Sequence, residues 1–304
     1  MFKKKKSTAV GLPMSDKIMN AVVMFFMIAL TVIILYPLIF IVSSSFSSGA
    51  AVSTGKVVFL PVDFSVEGYV HVFNYPRVWT CYGNTIFYTV VGTCLNLFLT
   101  VLVAYPLSRK NFQGRGFYLT VFLFTMWFSG GMIPTYILMS RIGLVNSRWT
   151  LIFMGAISTY NMIVMRSFFS SSIPAGLFDA ARIDGASDIG YLLKIVIPLS
   201  KAVFAVIILY YAVAHWNTYF NAMLYLDDKD LEPLQLILRE ILSAATIKPD
   251  AESDISAEDL EAMRGMADLL KYSLIVIASA PILCAYQFVQ KFFEKGVMIG
   301  SVKG

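Results

Sequence analysis

Asp179-Ala180-Ala181-Arg182-Ile183-Asp184-Gly185, continuing to Ile195-Val196-Ile197-Pro198, is a charged stretch between two apolar runs, each long enough to cross a bilayer. Pro174 suits the first turn of a helix, where its missing N–H costs nothing. Gly185 is the residue expected just past a helix end, because it takes positive φ without a Cβ clash. Ser187 is then placed to cap a second short helix running towards Lys194, and Pro198 falls where a new spanning helix would begin. The spacing predicts a helix–turn–helix elbow over 174–197, lying on one membrane face. Ala180 and Ala181 keep one side of its first helix low, so that another protein's groove can approach closely.

The rest of the chain sets that elbow in a membrane. Of 304 residues, 58% are hydrophobic and only 14% charged, with mean hydropathy +0.71. A spanning helix needs about 20 apolar residues for a core about 30 Å thick, and six runs qualify: 18–42, 83–107, 117–139, 149–169, 199–224 and 271–290. The expected fold is therefore all-α, a polytopic membrane protein of six transmembrane helices with a cytoplasmic helix–turn–helix elbow. The first run exceeds the about 7–15 apolar residues of a cleavable signal, so it reads as an uncleaved span. Within the third, Ser129-Gly130-Gly131 and Pro134 are read as small-residue helix packing, with a break facing the pathway as the alternative. The domain plan is a basic cytoplasmic N-terminus over 1–17, a permease domain over 18–291 and a cytoplasmic tail over 292–304. An external acidic loop occupies 227–270, and within it Leu234, Ile237, Leu238 and Ile241 recur at helical spacing.

Orientation follows from the basic residues. The N-terminus, the 109–116 turn, the elbow region and the tail hold most of the Lys and Arg, whereas the opposite segments hold most of the Asp and Glu. Excess Lys and Arg marks the cytoplasmic face, so both termini and the elbow are expected inside. The net charge of +5 implies no nucleic-acid partner, since the basic residues sit beside hydrophobic runs; membrane lipid is the partner they indicate.

Several chemistries are excluded. No Asp or Glu falls inside the six runs, which argues against a proton- or sodium-coupled carrier. Residues 49–56 lack the spacing and the Ser or Thr of a phosphate loop, so any ATP chemistry falls to a partner. Cys81, Cys94 and Cys284 show no metal spacing and no disulfide framework. With His71 and His215 the only histidines, neither a metal site nor a catalytic residue is expected. Polar residues do interrupt the runs: Tyr160-Asn161 in the fourth, and His215-Trp216-Asn217 followed by Asn221 in the fifth. Asn217 and Asn221, four apart, would share one helical face. Aromatic rings with amide and imidazole groups suit a hydroxyl-rich neutral solute, and the alternative is hydrogen bonding between helices.

Asp179, Ala180, Ala181, Gly185, Ile195 and Pro198 match in register the cytoplasmic loop motif of importer permeases of the ATP-binding-cassette (ABC) class, with Asp179 for the usual Glu and Ile197 for the usual Leu. Asn84-Thr85, His215-Trp216-Asn217 and Gly300-Ser301-Val302-Lys303-Gly304 resemble the carbohydrate-uptake branch, in particular the shorter maltose-type permease subunit. Tyr105-Pro106-Leu107-Ser108-Arg109-Lys110, Phe128-Ser129-Gly130-Gly131 and Tyr160-Asn161-Met162 are similar to its sub-branch paired with lipoprotein solute-binding proteins and associated with polysaccharide-derived oligosaccharides. The resemblance implies a bacterial plasma-membrane importer. Its partners would be a second, different permease subunit, two ATPase subunits that use ATP and Mg, and an external binding lipoprotein. It assigns ATPase coupling to Asp179, Ala180, Ala181, Arg182, Asp184, Gly185, Ile195 and Pro198, and a tail contact with the ATPases to Gly300, Lys303 and Gly304. The chain itself would bind no cofactor and catalyse no reaction. A nucleotide-independent channel, an ABC permease for a non-sugar solute and a membrane-embedded enzyme are the competing readings.

Overall fold

A computed structural model of the protein describes residues 13–246 and 257–301. The described residues are helical throughout their regular structure: α1 Met14–Ser45, α2 Gly49–Ser53, α3 Glu67–Phe73, α4 Pro76–Ser108, α5 Arg115–Trp127, α6 Met132–Arg141, α7 Arg148–Phe153, α8 Thr159–Ser172, α9 Ala175–Ile183, α10 Asp188–Leu199, α11 Lys201–Trp216, α12 Phe220–Tyr225, α13 Leu234–Thr246 and α14 Ala257–Ser301. The chain divides into two units. One holds the residues up to Val70 with the first part of α14, to Val276; the other holds the remainder from His71 onward, with the part of α14 from Ile277.

In the first unit α1 exposes apolar side chains along nearly its whole length and buries only Ser43, Ser44 and Ser45 at its end. Those serines tie down the segment that follows. Ser43 Oγ donates to Phe59 O at 2.7 Å, Ser45 Oγ meets Tyr69 Oη at 2.8 Å, and Ser47 Oγ accepts from Val62 N at 3.1 Å. Phe40 packs edge-on against Tyr272 of α14.

The second unit is built around α4. Pro76 opens it at a first-turn position, and 33 residues without an acidic side chain carry it as one uninterrupted helix. Against it pack α8 and α11, and the core they share with the elbow contains Ala104, Met162, Met165, Ala181, Tyr191, Val203 and Ile207. Among the described residues α1, α4 and residues 265–287 of α14 are long and apolar enough to cross a membrane. Two bent pairs, α5 with α6 and α10 with α11, raise the number to five if each pair is one span.

The breaks depart from the expected runs for local reasons. The third run bends by 112° between α5 and α6, at Ser129-Gly130-Gly131, so those small residues make a break rather than a packing stripe. The fourth is interrupted between α7 and α8, where Ser158 caps α8 by accepting from Asn161 N. The fifth ends at Trp216, because Asn217 Nδ2 and Thr218 Oγ1 turn back onto Val213 O and Ala214 O and compete with further helix. Asn217, just past the end of α11, and Asn221, in α12, therefore do not share one helical face. The last helix is longer than expected at both ends, since α14 begins at Ala257 inside the anticipated acidic loop and runs to Ser301.

Candidate functional site

A helix–turn–helix occupies residues 175–199. Pro174 stands just before the expected first-turn position, at the N-cap of α9 with no side-chain hydrogen bond, and the chain reverses at Gly185 with φ +76°. A Cβ there would meet nothing within 4 Å, so the requirement for glycine is one of backbone conformation alone. Ser187 caps α10 by accepting from Gly190 N at 3.1 Å. Pro198 lies in the last turn of α10 and does not open the span. It offers no N–H to the preceding turn, and a π-helical turn over Leu192–Val196 precedes it. The new helix starts at Lys201 after a turn of 84°.

The alanines serve two faces rather than one. Ala180 is exposed, whereas Ala181 is buried in the shared core. Asp179, Arg182 and Asp184 are exposed, Asp184 being the C-cap of α9, and Ile195 packs half-buried against the core. Ile183 and Ile189, 86% and 70% exposed, leave an apolar outer surface beside these charges. Two contacts that spacing alone did not reveal bind the elbow to the end of α4. The Arg109 guanidinium lies 3.5 Å from the Phe178 ring centroid and 5.2 Å from that of Tyr191, and Tyr105 Oη donates to Asp188 O at 3.1 Å.

At its other end α4 grips the segment following α12. Arg77 pairs with the buried Glu232 and with Glu240, at 3.0 Å for the latter. Asn84 Nδ2 donates to Asp230 O at 2.7 Å and to Glu232 O at 3.0 Å, Tyr88 Oη donates to Leu231 O at 2.7 Å, and Thr85 Oγ1 accepts from Leu234 N at 2.8 Å.

Midway along α4 a cavity of about 390 Å³ opens among α4, α8, α11 and α12. Of the expected solute residues, Asn161, His215 and Asn221 line it; Tyr160, Trp216 and Asn217 do not. Tyr160 is exposed. Trp216 is buried with its indole N–H donated to Ala278 O at 2.9 Å, a packing role. His215 sits where α11 approaches α4 so closely that a Cβ on Gly92 would lie 2.4 Å from Nε2, and Nε2 meets Asn96 Nδ2 at 3.1 Å. Tyr211 Oη bridges Thr100 Oγ1 at 2.7 Å and Ser158 N at 3.0 Å. The sequence reading missed Asn96, Ser158, Tyr210, Tyr211 and Thr218 in the lining. A signal was present, since Thr89, Thr93, Asn96 and Thr100 recur at helical spacing on one face of an otherwise apolar run. Of the tail residues, Gly300 falls in α14, while Lys303 and Gly304 lie outside the described residues, as does most of the basic N-terminus.

Apolar helices of spanning length, bent pairs among them, and a cavity lined by amides and hydroxyls mark a helical membrane protein. No protein-family profile matches the chain, but individual relatives do. It is 37% identical over 291 residues, 96% of its length and 100% of the other's, to the polygalacturonan/rhamnogalacturonan transport system permease protein YtcP of Bacillus subtilis. It is 40% identical over 275 residues, 90% of each chain, to protein LplC of the same organism. A crystal structure of a bacterial ABC transporter involved in the import of the acidic polysaccharide alginate contains a chain that superposes with TM-score 0.81 at 36% identity, covering 93% of this chain and 99% of that one. The protein belongs to the family of ABC sugar transport permeases.

Proposed function

We propose that this chain is one of two different permease subunits of an ATP-driven importer of polysaccharide-derived oligosaccharides in the bacterial plasma membrane. It spans the membrane six times with both termini cytoplasmic. Two ATPase subunits, which use ATP and Mg, bind beneath it, and an external lipoprotein delivers the solute. The observation that carries this reading is the span of α4. Arg77 and Arg109 are separated by about 48 Å at about 1.5 Å per residue, more than a hydrocarbon core of about 30 Å. The acidic segment held by Arg77 and the elbow held by Arg109 are thus disposed for opposite faces of the bilayer. Excess Lys and Arg assigns the elbow to the inner one.

In this scheme Asp179, Arg182 and Asp184, with exposed Ile183 and Ile189, meet the ATPase. Ala181 and Ile195 carry its movement into the core, and Gly185 and Pro198 shape the elbow. Gly300, Lys303 and Gly304 make a second ATPase contact. The acidic segment faces the binding lipoprotein, and the cavity lies on the solute path. The substrate class rests on the named activities of YtcP and of the alginate transporter. The test is uptake into proteoliposomes. The complete complex should import pectin-derived oligosaccharides with ATP, while the lone chain hydrolyses no ATP and passes no solute. Gly185→Pro demands φ near −65° where the backbone has +76°, so it should sever uptake from ATP hydrolysis. Nucleotide-free flux through the lone chain, or wild-type uptake by Gly185→Pro, defeats the reading.

A further inference from the structure

The cavity midway along α4 has a composition that says which part of a solute it takes. Its volume of about 390 Å³ lies at the lower end of small-molecule sites, about 300–1,000 Å³, which fits a short sugar segment. None of its lining residues is Asp, Glu, Lys or Arg; the polar groups are amides, hydroxyls and the His215 ring. Within this wall Asn96 is 2% exposed, and its Oδ1 has no hydrogen-bond partner. Its Nδ2 is engaged by His215 Nε2 at 3.1 Å. Exchanging the amide's O and N, with the other His215 tautomer, leaves the other end of the amide without a partner instead. A buried polar atom left unpaired bears its desolvation cost in full; Oδ1 is closed off from the cavity, so a hydroxyl, which donates and accepts, would relieve it in either arrangement once the wall yields to the solute.

We propose that this cavity is a saccharide subsite belonging to this subunit, which takes the uncharged, hydroxyl-bearing part of a sugar and leaves any carboxylate of the solute to be read elsewhere. The inference rests on the reading of the chain as a saccharide permease and extends it to the recognition chemistry. The amides of Asn96, Asn161 and Asn221 both donate and accept, as vicinal hydroxyls do. Tyr210, half-exposed in the lining, is an aromatic ring of the kind that packs against sugar C–H groups. A uronate carboxylate entering here would lose its hydration with no cation to replace it, which is the costly case.

The experiment uses the assembled transporter in proteoliposomes with two competing probes, galactotetraose and tetragalacturonate, which differ by a hydroxymethyl against a carboxylate on each ring. Asn221→Arg adds a cation to the lining and should shift the uptake ratio about tenfold towards tetragalacturonate. Asn96→Leu should raise the half-saturation concentration of both probes about fivefold, leaving their ratio alone. Thr218→Lys repeats the charge test from another helix end, should Asn221→Arg fail to assemble by co-elution. An unchanged ratio in an assembled, ATP-driven cationic variant overturns the subsite. So does Asn96→Leu with wild-type half-saturation, because a buried water then satisfies the amide. If the wild-type complex imports neither probe with ATP, the permease reading itself falls, and the subsite falls with it.

Discussion

Gly92→Ala is the most direct test of the packing that forms the cavity. The added Cβ would sit 2.4 Å from His215 Nε2 and 2.5 Å from Cε1, whereas carbon contacts are optimal at about 3.5–4.0 Å. The ring or the helix must therefore retreat by about 1 Å. His215 is buried and hydrogen-bonded to Asn96, so it has no free end to swing aside. Overpacking costs about 1–3 kcal/mol, and loss of the Asn96 contact adds about 1 kcal/mol. Replacing glycine within a helix returns about 1 kcal/mol. The expected net loss is about 1–3 kcal/mol. In a His215→Ala background the obstacle is gone, and the same substitution should become neutral or stabilise by about 1 kcal/mol. The assay is unfolding of the purified chain in mixed micelles by SDS titration, followed by circular dichroism and tryptophan fluorescence, on all four members of the cycle. Equal destabilisation in both backgrounds would refute the argument, because the clash would then lie somewhere other than the imidazole.

Two further outcomes follow from the ends of α4. Phe178→Leu removes the ring that holds Arg109, an interaction worth about 0.5–2 kcal/mol according to its desolvation, and should lower uptake per ATP hydrolysed in the complete complex. Arg109→Lys keeps the charge without the planar stacking surface and should fall between the wild type and Arg109→Gln; wild-type stoichiometry in Phe178→Leu would dismiss the clamp. At the opposite end, Arg77→Met strands the buried Glu232 and should cost about 1–3 kcal/mol in the SDS titration, whereas exposed Glu240 contributes little. Adding Glu232→Gln should recover most of that loss, and a double variant no better than the single would show that the carboxylate is not the source.

What the sequence determined by itself was local. Apolar runs of spanning length, the glycine at the turn of the elbow and the cap at Ser187 are dictated by hydrophobicity and backbone geometry, which act over a few residues. The same reasoning singled out Asn161, His215 and Asn221, which line one cavity, because a polar side chain in an apolar run is conspicuous. Trp216 and Asn217 stand outside that cavity: the Trp216 indole N–H goes to Ala278 O, which only the fold brings within reach, and the Asn217 amide turns back on Val213 O in its own last turn. Ala180 and Ala181 read in sequence as one surface, although only the packing of α9 against the core turns Ala181 inward. The Arg109–Phe178 stack, the hold of Arg77 on Glu232 and the closeness of Gly92 to His215 join residues distant in the chain. Tertiary structure alone decided these, since contact between helices depends on their relative placement and no local periodicity encodes it.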